Sequence, residues 1–287
     1  MLALRGKPHY NTDWIVERLH LSGSFADPIA RLILVASRMS QLFLTTSSLR
    51  ASASTLEPST TPLDTESISQ LTLLLLTGRQ IDLELTSWSQ DLPERWLPLV
   101  IYPDKADTTD PLITYHHLSI ASVWTYYRAV RIVSHLIMLE LRRALALASA
   151  STADQIPEET ATTTPAIIQK MITDICRSIP FCLGDVDIMG NRTTSPLSSS
   201  SSSSASASSP DAKPQPRARA FSVYSMIWPL WYILSCGLAT DAQEEHIRNC
   251  LKRIGSVLGI KLALVLAEDA STQRRPPVSF SGPLFGQ

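Results

Sequence analysis

From Pro111 to Ala150 the chain carries its longest unbroken helical pattern. Read as one helix, this stretch spans roughly 55–60 Å at about 1.5 Å per residue. Val123, Tyr127, Val130, Val133, Ile137, Leu141 and Ala144 follow each other at three- and four-residue steps, so they share one side. Trp124, Leu136, Met138 and Leu145 widen that stripe beyond what one neighbour can cover. Such a helix has to stand inside a core, packed by several other elements. The remaining sequence must supply them.

It supplies more helices. Asp27-Pro28 is a helix start, and Ile29, Ile33, Ala36 and Leu44 continue the pattern to about Leu49. Arg50 to Thr65 is Ser, Thr, Ala and Pro and reads as a loop. Asp64 or Thr65 opens a second helix containing Ile68, Leu71, Leu75 and Leu85, and Trp88 and Trp96 flank its end at Leu92-Pro93. Tyr102–Pro111 and Ser151–Pro165 read as polar loops. Thr164-Pro165 begins a helix with Ile168, Ile172 and Ile175 on one side and Gly184 as its stop. After Phe221 comes a very apolar helix, interrupted at Trp228-Pro229. Asp241 with Glu244 resembles a capping box, followed by a stripe of Ile247, Leu251, Ile254 and Leu258. Gly255 and Gly259 either let two helices approach closely or mark a break. No stretch alternates as a strand does. The expected class is all-α, with seven or eight helices organised on the long central one.

Residues 25–270 form the expected helical domain, preceded by a segment over 1–24 and followed by a tail over 271–287. Within it, Asn191 to Arg219 holds a serine tract from Ser198 to Ser204 and then several prolines. Such a stretch buries too little apolar surface to offset its ordering entropy, so a disordered insertion is expected over 191–219.

A formal net charge of -1 gives no general pull toward nucleic acid. The first ten residues lack the apolar run of a signal peptide, and no uninterrupted apolar stretch reaches the 18 residues of a membrane span. A soluble, intracellular protein without membrane contact is expected. Cys176, Cys182, Cys236 and Cys250 form no metal-binding spacing and read as four buried thiols.

No spaced catalytic motif is present: no phosphate-cradling glycine loop, no nucleophile elbow. Asp185 and Asp187 follow Gly184 and read as turn residues. His116 and His117 point about 100° apart on a helix and cannot share one metal. No catalytic residue, metal ligand or cofactor is expected. Two constellations remain. Arg128, Arg131, His135 and Arg142 fall within a sector of roughly 60° on the long helix, forming a basic edge. It is a solvated face paired with acids such as Glu140 or another helix, a docking surface for a partner, or a pocket for an acidic ligand. Tyr224, Trp228, Trp231 and Tyr232 make an aromatic cluster that is either core or the wall of an apolar pocket.

Three blocks resemble a known family. Asp174-Ile175-Cys176-Arg177-Ser178-Ile179-Pro180-Phe181-Cys182-Leu183-Gly184 is similar to a helix end in the C-terminal regulatory region of fungal zinc-cluster transcription factors. Trp228-Pro229-Leu230, with Ile254-Gly255 and Gly259-Ile260 beyond it, resembles the end of that region. Trp124 to Ile132 resembles its central helix. The resemblance covers roughly Phe25 to Ala270. It implies the regulatory half of a transcription regulator located in the nucleus, or alternatively the cytoplasm. That half would work through a protein partner or homodimer, or through a small-molecule effector. The six-cysteine cluster that reads DNA in that family has no counterpart here, so no direct specific DNA binding is expected. The alternatives are a helical interaction protein unrelated to transcription and an all-α small-molecule enzyme.

Overall fold

A computed structural model describes residues 28–55, 65–102, 110–149, 163–193 and 216–272. Among them are seven α-helices and one small antiparallel ribbon, so the protein is all-α. The helices are α1 (Pro28–Thr55), α2 (Thr65–Gln90), α3 (Leu118–Ser149), α4 (Thr163–Leu183), α5 (Pro216–Cys236), α6 (Asp241–Val257) and α7 (Lys261–Thr272). The ribbon pairs β1 (Leu99–Ile101) with β2 (Leu112–Thr114). The segment over 1–24, nearly all of the tail over 271–287 and the serine tract lie outside the described residues.

The chain divides into two compact units. The first holds α1, α2, α3 from Ala129 onward and α4 through Met171. Its helices α1 and α2 run antiparallel, because Arg31 meets Asp91 and Arg38 meets Glu84, pairs spaced seven residues apart on both helices. These pairs are exposed and contribute little. What holds the two helices together is chiefly apolar burial, of Leu32, Ala36, Met39 and Leu42 on α1 and of Leu71, Leu75, Ile81, Leu85 and Trp88 on α2. Trp88 closes one end by donating its indole N–H to the Pro28 carbonyl at 2.7 Å. Gly78 faces Met138 of α3 with no room for more.

Helix α1 runs to Thr55, past the expected loop start at Arg50. Serine and threonine disfavour a helix interior only mildly when the hydroxyl bonds the carbonyl four residues back, as Thr45 and Thr46 do. By length and composition Pro28–Leu49 also passes for a membrane-crossing helix, at mean hydropathy 1.2, although Arg31 and Arg38 interrupt its apolar run. A core helix passes the same test.

The second unit holds residues Pro93–Arg128 and Ile172–Arg274. A turn at Glu94–Trp96 leads into β1, which pairs Leu99 with Thr114 and Ile101 with Leu112. The expected helix from Pro111 therefore starts later, at Leu118. Leu112-Ile113-Thr114 suits a pleated, half-buried surface, and three residues are too few to show alternation in sequence. Ile113, Thr114 and Tyr115 are buried, and Thr114 Oγ1 donates to the Ile188 carbonyl.

Helix α4 ends where the sequence indicated. Gly184 takes φ 78°, its N–H bonds the Phe181 carbonyl, and the Asp185 N–H reaches the Pro180 carbonyl, a Schellman stop. Asn191 to Thr193, expected within the insertion, instead complete a tight turn: Val186 bridges Arg192, and Asp187 accepts from the Met189 and Asn191 N–H groups. At the other border of the insertion, Pro216–Arg219 already belong to α5. Helix α5 continues through Pro229 without the expected interruption. Met226, Ile227, Leu230 and Ile233 are buried on both sides of the proline, so tertiary packing outweighs one lost backbone hydrogen bond. The capping box of α6 is Thr240 with Gln243, one residue before the expected pair. Asp241 and Glu244 still lie in its first turn, where the helix dipole favours acids.

Both readings of the glycine pair apply. Gly259 takes φ 70° and turns the chain between α6 and α7. Gly255 lets α7 press onto α6: a methyl group there would meet the Leu264 side chain and lie 3.1 Å from the Leu264 backbone nitrogen. Backbone cannot yield as a side chain does. Gly255→Ala should therefore cost about 1–3 kcal/mol by overpacking. At Gly78→Ala the added methyl meets Met138 Cγ at 2.7 Å, so a buried side chain must shift but no backbone, and about 1 kcal/mol of helix propensity partly offsets that cost. Urea midpoints of the two variants check this. A Gly78 variant less stable than the Gly255 variant contradicts it.

Candidate functional site

The four residues of the basic edge lie on α3, but they form no open basic surface. Arg128 is only 2% exposed. Its Nη1 donates to the Tyr115 hydroxyl at 2.5 Å, and its guanidinium lies 5.9 Å from the Tyr115 ring and 5.4 Å from the Trp124 ring. The Asp174 carboxylate stands 4.0 Å away. Arginine suits this place because a planar, weakly hydrated cation can pack against aromatic rings while still donating along its edge. Trp124 is held in turn by its indole N–H, which donates to the Trp96 carbonyl at 2.6 Å.

Arg131 and His135 belong to the first unit and converge on Asp82 of α2. Arg131 Nε is 2.8 Å and His135 Nε2 is 2.9 Å from the same carboxylate oxygen, and Arg131 also donates to Thr86. Burial acts to raise the Asp82 pKa, but the hydrogen bonds and charges of His135 and Arg131 outweigh it and hold the carboxyl below its usual range. The acidic counterpart of the edge thus lies within the fold, on Asp82 and Asp174. Glu140, named as a candidate acid, is buried on α3 itself. Arg142 is half-buried and donates to Thr164 Oγ1 at 2.6 Å, in the first turn of α4. Desolvation and the neighbouring Arg79 guanidinium lower its pKa.

The aromatic cluster packs on itself. Trp228 stacks on Trp231 with ring centroids 4.6 Å apart and lies 6.3 Å from Tyr232. Tyr232 is buried and Tyr224 is 54% exposed. Rings stacked at that distance leave no space between them for a ligand, and both Trp228 and Trp231 are half-buried. A groove of about 450 Å³ lies elsewhere, between α1 and α2, lined by Arg31, Leu34, Val35, Arg38, Glu84 and Trp88. The sequence gives no sign of it, because it is made where two helices meet and no spacing encodes it.

Asp185 pairs with Arg253 at 2.5 and 2.6 Å, and Asp187 closes its turn. His116 and His117 are exposed just before α3. No three metal-ligating side chains gather among the described residues. Cys182, Cys236 and Cys250 are buried and Cys176 is half-buried, all as free thiols. Burial pushes the Cys176, Cys182 and Cys250 thiols and the Tyr115 phenol up to about 12.

The fold and its polar clusters define a class: a helical protein whose buried cations hold helices together. Compared with known proteins, the chain matches no family model, no curated protein and no solved structure.

Proposed function

We propose that the chain is a regulatory module of transcription control of the fungal zinc-cluster type, acting through a ligand, a partner or self-association without reading DNA itself. One observation carries the reading. The C-terminal blocks behind the resemblance belong to one packed unit. Asp185, next after Gly184, pairs with Arg253, the residue before Ile254. Helix α5, which holds Trp228-Pro229-Leu230, packs on α6 and α7. The Gly255 contact and the Gly259 turn join those two helices.

Fusing residues 1–287 to a heterologous DNA-binding domain tests this in a reporter cell. Output is expected to rise or fall against the DNA-binding domain alone. A fusion that is folded, nuclear and indistinguishable from that control counts against the reading. So does tight sequence-specific DNA binding by the chain on its own, since non-specific affinity of roughly 10⁻⁴–10⁻⁶ M is what remains without a DNA reader.

A further inference from the structure

Helix α2 turns one side to the core through Leu71, Leu75, Gly78, Ile81, Leu85 and Trp88. Directly opposite, at about 100° per residue, stand Leu73, Leu76, Gln80 and Leu83 within a sector of about 80°. The three leucines are 64%, 52% and 64% exposed. Their spacing with Gln80 is three, four, three: the seam of a heptad repeat, not the scatter of single exposed leucines that any surface carries. Neither α1 nor α3 covers this side. Helix α1 meets α2 at Glu84 and, just past the end of α2, at Asp91, and α3 meets α2 at Gly78 and Asp82.

The charges beside the seam indicate what covers it. Arg79 and Glu84 flank it on opposite sides, five residues apart. In two parallel helices related by a two-fold axis, the residue before one seam position meets the residue five further on in the partner. Arg79 of each copy then faces Glu84 of the other, twice. Arg79 is exposed and has no carboxylate partner among the described residues. Glu84 is held ready at its place by Arg38 and by Gln80 Nε2. Gln80 meets its own copy inside the seam, where a single polar residue sets register at some expense of affinity. The patch is self-complementary, as a two-fold contact requires.

We propose that this side of α2 is the contact surface of a parallel homodimer, centred on Leu73, Leu76, Gln80 and Leu83. The proposal concerns association only and stands apart from the transcription reading. The seam is short, with Ser69 and Ser87 at its next positions, so the dimer forms as concentration rises.

Sedimentation of the full chain over a concentration series tests it. The wild type is expected to pass from monomer to dimer, and the double variant Leu76→Glu/Leu83→Glu to remain monomeric with an unchanged helical spectrum, since both positions are exposed. Arg79→Glu alone and Glu84→Arg alone each bring like charges together and are expected to lose the dimer at concentrations where the wild type pairs. Mixed, these two variants restore both attractions and are expected to pair again. Losing the Arg38–Glu84 contact touches only an exposed ion pair, so the fold survives. A wild type that stays monomeric throughout overturns the proposal, because the seam is then covered by another protein, by a terminal segment of the chain or by nothing. A dimer that survives the leucine substitutions overturns it too. A mixture of the charge variants that stays monomeric rules out the parallel seam.

Discussion

Arg128→Ala is expected to lower stability by about 3–5 kcal/mol, the usual result of removing one partner from a buried ionic cluster. Three effects add. The Asp174 carboxylate loses the cation 4.0 Å away, in a place where its own side chain is only 13% exposed. The Tyr115 hydroxyl, completely buried, loses the donor that now lies 2.5 Å from it. A cavity opens between the Tyr115 and Trp124 rings, where the guanidinium had packed. Arg128→Met fills most of that volume without a charge and so separates packing from electrostatics. It should recover the packing part and leave the electrostatic part lost. Chemical denaturation of the three proteins measures both steps. An alanine variant within about 1 kcal/mol of wild type means that the cluster relaxes freely and that this side chain does not tie α3, α4 and the Tyr115 segment together.

The second large effect belongs to Asp82. Its partners are not fully buried: the side chains of Asp82 and Arg131 are 21% and 14% exposed, and that of His135 only 4%. The expected cost of Asp82→Asn therefore lies between a surface pair, below about 1 kcal/mol, and a buried one, about 3–5 kcal/mol; a loss of about 2–3 kcal/mol is expected. The sign of its pH dependence follows from the lowered pKa. A carboxyl whose folded pKa lies below its unfolded value of 3.8 contributes stability that is fully present above that value. The contribution is lost as pH falls through the folded pKa. The gap between wild type and Asp82→Asn should thus be level from neutrality down to about pH 4 and narrow below it. Denaturant midpoints of both proteins at neutral and at acid pH give the answer. A gap that stays constant into strong acid shows that the carboxylate charge contributes nothing there.

What the sequence alone determined here is local. The amphipathic stripe of α3 was legible because helical periodicity repeats every turn and survives any tertiary arrangement. Gly184 was legible as a helix end, and Gly259 as either a break or a close-approach site, because left-handed backbone favours glycine whatever lies nearby. The roles of the charged side chains were not legible. Arg128 and Arg131 are one turn apart on the same side of one helix, with nothing in their spacing to separate them. The structure sends the first to Tyr115 and Asp174 and the second to Asp82, partners that lie on other elements. The ribbon at Leu99–Ile101 and Leu112–Thr114 escaped notice for the same reason, since each strand is defined by its partner. That the Trp228 and Trp231 rings stack on each other is likewise visible only in the folded chain. Backbone propensity acts between residues a few positions apart and is written in order along the chain. Ion pairing, stacking and strand pairing act between surfaces that exist only after folding, so tertiary structure alone decided them.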